Sequence, residues 1–160
     1  MYEFAPTPGQ PKPELYAELV SSARALTADE PDGVANMANL AALIWQFVPQ
    51  LNWAGFYRLH SGGLVLGPFI GKPACIRIAL DQGVCGAAAR TGETQLVPDV
   101  HAFPGHIACD AASRSELVVP VRRDGMVIAV IDLDSPEPGR FDADDAAGIE
   151  LLAAAIAAVI

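Results

Sequence analysis

The sequence predicts an α+β domain: an antiparallel sheet with N-terminal and C-terminal helices packed mainly on one face and a pocket under long loops on the other. Apolar residues recur at helical spacing at both ends of the chain, while the middle breaks into short apolar or alternating segments bounded by Gly, Pro and Asp. At 160 residues with 52% hydrophobic content, one compact core is the expectation.

The first dozen residues hold Pro6, Pro8 and Pro11, so 1–12 reads as an extended arm and 13–160 as a single domain, with Pro13 suited to a first helical turn. Leu15, Leu19, Ala23 and Leu26 mark one helix. After the break Glu30-Pro31-Asp32-Gly33, the residues Met37, Leu40, Ile44 and Phe47 mark a second. Strands are expected over 53–60, 63–68, 74–79 and 95–98, with a short helix over 84–90 and an irregular loop over 99–105. Two longer strands, 116–122 and 126–134, join across Asp124-Gly125. A last helix runs from Asp142 to about Val159, opened by acids that suit a helix N-terminus. Segments 67–74 and 99–115 are the loops expected to cover the pocket.

The formal charge is -9 and the largest basic cluster is the pair Arg122-Arg123, which argues against nucleic acid or an anionic membrane surface as a partner. A zwitterionic or cationic small ligand fits better, although negative charge also serves solubility alone. The N-terminus shows no basic leader, and no apolar run is long enough to span a bilayer, so the expectation is a cytoplasmic protein. Cysteines in that reducing compartment stay thiols or form transient disulfides.

Cys75, Cys85 and Cys109 are three in number and lack Cys-x-x-Cys spacing, a pattern of one nucleophile with resolving partners rather than of structural pairs. A helical turn at Asp110-Ala111-Ala112 would put Cys109 near a helix N-terminus, which favours thiolate. A buried apolar cysteine is the equal alternative for Cys109 alone. His101, His106 and Cys109 form a His-x4-His-x2-Cys set that Cys75 or Cys85 would complete for zinc. The absence of tight pair spacing argues against it, so no metal is expected.

Asp132 and Asp134 alternate at the end of an apolar strand and share one face about 6–7 Å apart, as partnered buried acids or as solvated strand-end residues. The face of Glu116 depends on the hairpin. A two-residue Asp124-Gly125 turn pairs it with Leu133, facing away from both aspartates. A three-residue loop with a Gly125 bulge pairs it with Asp132, gathering all three acids. The three-residue loop or another odd offset is the expectation. In Asn52-Trp53-Ala54-Gly55-Phe56-Tyr57, Trp53 and Tyr57 share a face, to wall a pocket or fill a core.

The blocks NWAGFY from Asn52, GPFIGKPACIRI from Gly67, GVCG from Gly83, VPDVHAFPGHIACDAASRSE from Val97 and IDLDSP from Ile131 resemble the free methionine-R-sulfoxide reductases, catalytic members of the GAF-domain fold. The resemblance implies that Cys109 attacks the sulfur of free methionine (R)-sulfoxide and becomes a sulfenic acid. It further implies that Cys75 or Cys85 condenses with that acid, and that thioredoxin, as external reductant with no bound cofactor, reduces the disulfide. By the same resemblance Trp53 and Tyr57 border the substrate, Glu116 and Asp134 hold and protonate the sulfoxide, and Asp132 helps bind its ammonium. A homodimer through the apolar first helices is a family-level expectation. Asp81-Gln82 departs from the basic residue expected before GVCG. The rival reading is a non-catalytic GAF sensor of a small molecule, since this fold binds ligands more widely than it catalyses.

Overall fold

A computed structural model describes residues 4–105 and 111–160. Four helices, α1 (Lys12–Thr27), α2 (Gly33–Phe47), α3 (Gly83–Thr91) and α4 (Ala143–Ile156), accompany six strands. The strands are β1 (Trp53–His60), β2 (Gly63–Gly71), β3 (Arg77–Ala79), β4 (Gln95–Val97), β5 (Ser115–Arg123) and β6 (Met126–Ser135), in one antiparallel sheet ordered β3-β2-β1-β6-β5-β4. The expected elements are present. Their bounds move where local chemistry overrides pattern: α1 begins one residue before Pro13 behind Pro11, and β2 continues to Gly71. Residues 74–76 stay outside β3. No helix among the described residues is long and apolar enough to cross a membrane.

Period-two alternation gives the sheet two different faces. Ala54, Phe56, Leu117, Val119, Val121, Ala129, Ile131 and Leu133 point into a core shared with α1, α2 and α4. Trp53, Tyr57, Val118 and Val130 point the other way and pack with Val84, Cys85, Ala88 and Ala89 of α3. The second face is therefore not left free. It carries one short helix, and the pocket lies beside that helix. Gly86 lets α3 sit close, because a Cβ there would lie 2.5 Å from the Ala79 carbonyl oxygen of β3.

Asp32 caps α2 by accepting from the amides of Val34 and Ala35, and Asp142 opens α4 in a capping box with Asp145. Asp145 is buried and also accepts from Tyr16 Oη at 2.7 Å, Lys12 Nζ at 2.7 Å and Arg140 Nη1 at 3.1 Å, tying α1 and the strand-to-helix connection to α4. The arm is likewise held: the Thr7 amide and Gln10 Nε2 donate to Glu18 of α1.

Asp145→Ala would leave the Arg140 guanidinium buried without its carboxylate and remove half of the capping box. The expected loss is about 3–5 kcal/mol of unfolding free energy, read by urea titration. A loss under about 1 kcal/mol would mean that the network contributes little.

Candidate active site

The β5–β6 hairpin decides which side chains meet. Its connection is the two-residue turn Asp124-Gly125, with both residues at positive φ (52° and 80°), as an Asp-Gly type I′ hairpin requires. The three-residue loop is therefore not formed. Arg122 pairs with Val127 but Val121 pairs with Ala129, so a bulge at Ile128 adds the odd offset that the turn does not supply. Glu116 accordingly pairs with Asp134, not with Asp132 or Leu133, and Val118 pairs with Asp132. The parity is the expected one: Glu116, Asp132 and Asp134 all line one cavity.

Strand β1 completes the floor. Trp53 pairs with Asp134 and Gly55 with Asp132, placing Trp53 and Tyr57 on the acid side of the sheet. Trp53 stacks on Tyr57 at 5.8 Å and on Phe69 at 5.1 Å between ring centroids. Phe69 reaches the stack by crossing Gly55, where any Cβ would overlap its own. The polar tips of the aromatics hold the loop above them: Trp53 Nε1 donates to the Lys72 carbonyl at 3.2 Å and Tyr57 Oη to the Cys75 carbonyl at 3.0 Å.

Trp53, Tyr57, Lys72, Ala74, Ser113 and Cys85 line the cavity together with the acids. Its volume of about 40 Å³ is room for a few waters. Lys72 and Ser113 escaped the sequence reading. Ser113 is brought in by Asn52, whose Nδ2 donates to its Oγ at 3.1 Å, and by the Arg114 amide donating to the Ser135 carbonyl at 2.7 Å. No periodicity in the loop marks it. Of the two expected covering loops, residues 67–71 belong to β2 instead and 72–74 line the cavity, while Ser113 lines it from the second, 99–115.

Cys75 is disulfide-bonded and half-buried, whereas Cys85, on the first turn of α3, is a buried free thiol. Cys109 and His106 lie outside the described residues. His101 is exposed on a short 3₁₀ turn; Cys75, in a disulfide, offers no thiolate to the His/Cys set, and Cys85 lies buried beside the acids.

Burial dominates the electrostatics. It raises Glu116 well above the usual carboxyl range, and the neighbouring Asp132 and Asp134 push it further. Burial raises Asp132 to about 7, against hydrogen bonding from Cys85 and Glu116 that lowers it. The same burial, with Asp132, Glu116 and Asp134 nearby, drives the Cys85 thiol far up, and burial also raises the Tyr57 phenol. At neutral pH Cys85 is thus a protonated thiol, and burial with two neighbouring acids favours the protonated form of Glu116. Asp132 is poised between its forms, and its Oδ1 is buried with no hydrogen-bond partner among the described residues.

A curled antiparallel sheet with helices on one face and a ligand cavity on the other defines a GAF-type domain, and the family model described as GAF domain matches residues 34–160. The free methionine-R-sulfoxide reductase of Escherichia coli (strain K12) is 46% identical over 149 residues, covering 93% of this chain and 90% of its own. The structure of free methionine-R-sulfoxide reductase from Neisseria meningitidis in complex with its substrate is 42% identical with a TM-score of 0.93, covering 98% of this chain and 94% of that one. A protein from Burkholderia vietnamiensis described as a GAF sensor is 56% identical with a TM-score of 0.90, covering 94% and 96%. The chain belongs to the free methionine-R-sulfoxide reductases, a family of oxidoreductases built on the GAF fold.

An acid whose folded value lies near 7 against an ordinary 3.8 favours the folded state below about 4, and that contribution is lost as the pH rises toward 7. Asp142, held down to about 2 chiefly by the Lys12 hydrogen bond, acts in the opposite sense only below about 4. The protein is therefore expected to melt higher at pH 5 than at pH 7.5. Asp132→Asn should raise the pH 7.5 midpoint by about 3–6 °C and flatten the slope between. A wild-type midpoint that rises from pH 5 to 7.5 would contradict this account of the cluster.

Proposed function

We propose that this protein reduces free methionine (R)-sulfoxide to methionine, with Cys109 as nucleophile and Cys75 as resolving cysteine. The observation that carries the reading is the convergence of Glu116, Asp132 and Asp134 in one aromatic-walled cavity under the segment that holds a disulfide-bonded Cys75. The Cys109 thiolate attacks the sulfoxide sulfur and forms an S–S bond with it, while Glu116, whose protonated form burial favours, and Asp134 hold and protonate the oxygen. The protonated oxygen then leaves the methionine sulfur as hydroxide and adds to the Cys109 sulfur, methionine leaves with the electron pair of the broken S–S bond, and Cys109 is left as a sulfenic acid. The Cys75 thiol displaces that oxygen as water, forming the disulfide. A dithiol reductant of the thioredoxin type reduces it by exchange and closes the cycle. A cytoplasmic location supplies such reductants.

The choice between resolving cysteines follows from environment. Cys85 is buried among three acids that raise its thiol, which makes it a poor nucleophile. Cys75 is half-buried and already in a disulfide. Trp53 and Tyr57 flank the substrate's methyl end, and the unpartnered Asp132 Oδ1 accepts from its ammonium. That pairing selects a free amino acid, because a residue within a chain brings no ammonium to the buried acid. The homodimer would cover Val34 and Trp45, exposed on one side of α2.

Methionine release from the separate R and S epimers, with thioredoxin recycling, tests the reading. Turnover of R alone is expected, abolished in Cys109→Ser. Cys75→Ser should release about one methionine per chain and then stop with thioredoxin, and Glu116→Gln should lower kcat by roughly 10²–10⁴. No release with either epimer would favour the sensor reading instead, which the Burkholderia relative's description supports.

A further inference from the structure

We propose that the floor of the cavity is a binding site for a borderline-soft divalent cation of the Zn²⁺ class, held by Cys85 Sγ and one carboxylate oxygen each of Glu116 and Asp132. These three donor atoms lie within 4.8 Å of one another, and all three residues are buried, at 3%, 7% and 6% exposure. The set differs from the His/Cys set that spacing suggests, and it joins three elements: α3, β5 and β6.

A cluster of acids is not by itself a site, since it is also satisfied by sharing protons. The distinguishing feature is Asp132 Oδ1, which is buried on the cavity floor with no hydrogen-bond partner among the described residues. An orphaned carboxylate oxygen beside a thiol sulfur and a second carboxyl needs a positive group to offset its desolvation. Among the described residues Lys72 is the one basic residue lining the cavity, and it is exposed on the covering segment. One sulfur and two oxygens are ligand types that zinc accepts, and three protein ligands with the cavity left for a fourth match the coordination number of an open zinc site. Magnesium and calcium, which take oxygen ligands in six- to eight-fold shells, gain nothing from the sulfur. On binding, the protons of Cys85 and Glu116, and that of Asp132 where it is protonated, leave to solvent as the sulfur–metal and oxygen–metal bonds form.

The site stands whichever organic molecule the cavity takes. Its consequence for turnover rests on the reductase reading: cation and substrate ammonium require the same Asp132 oxygen and exclude one another.

Cobalt(II) serves as the spectroscopic probe, added to protein with its disulfide closed, in which Cys85 is a free thiol. The expected result is one Co²⁺ per chain with a thiolate-to-metal charge-transfer band and intense four-coordinate visible bands, both bleached by equimolar Zn²⁺. Cys85→Ser should remove the charge-transfer band, and Asp132→Asn should weaken Zn²⁺ at least ten-fold in competition with a chromophoric chelator. Absence of the band in wild type at saturating cobalt overturns the site without recourse to any variant. So does a band that survives Cys85→Ser, or weak featureless binding equal in all proteins, which surface acids of a chain with charge -9 would give. Sulfoxide turnover is assayed separately: an inactive protein that binds cobalt through Cys85 overturns the reductase reading and leaves the cation site intact.

Discussion

The cavity depends on parity along β6. A strand alternates its side chains, so Asp132 and Asp134 necessarily share a face, but Glu116 joins them only if the offset between β5 and β6 is even in the sum of paired positions. The type I′ turn alone gives the wrong parity. The unpaired Ile128 corrects it, four positions from Asp132 and twelve from Glu116 along the chain. A bulge also tightens local twist, which helps a sheet curl around a cavity on one face while the other accepts three helices. Fold and site are thus joined through one extra residue in a hairpin.

Two buried aspartates show how differently one side chain is used. Asp145 is fully enclosed and receives Tyr16, Lys12, Arg140 and the backbone of its own helix, so its charge is matched from several sides. Asp132 is nearly as enclosed, yet its neighbours are another acid and a thiol, and one of its oxygens has no partner among the described residues. Satisfied burial is structural: it holds α1 to α4. Unsatisfied burial costs stability and persists where a ligand completes it. The apolar core between the helices and the opposite sheet face offsets that cost, since Phe56, Leu117, Ile131 and Leu133 are all fully buried there.

How much of this was legible in the sequence follows the range of the interactions. Helical spacing in α1 and α2, the acids opening α4, and Asp-Gly at the hairpin are local signals, and the elements stand where those signals put them. Alternation placed Trp53 with Tyr57 and Asp132 with Asp134. The bulge was not legible, because Val127-Ile128 reads like any apolar pair and its irregularity is set by cross-strand packing. The placement of α3 on the acid face was also hidden: its small residues suit either side, and only the close approach at Gly86 reveals the choice. Lys72 and Ser113 entered the site through loop closure by Trp53, Tyr57 and Asn52, contacts that span 18 to 61 positions.

The same distances explain why cysteine chemistry divides as it does. Cys85 and Cys75 are ten positions apart, and spacing gives no ground for preferring either. Once folded, one sits on a helix pressed into a cluster of acids, where every neighbour opposes thiolate formation. The other sits on the covering segment, its carbonyl held by Tyr57 and its sulfur in a disulfide. A thiol that must exchange with an external reductant needs solvent access and a charge environment that tolerates thiolate, and 72–76 offers the first while lying above rather than within the acids. On the proposed mechanism, the carboxyls that raise the buried thiol keep it out of exchange. Acid placement therefore sets the charge environment both of the cavity floor and of the buried sulfur beside it.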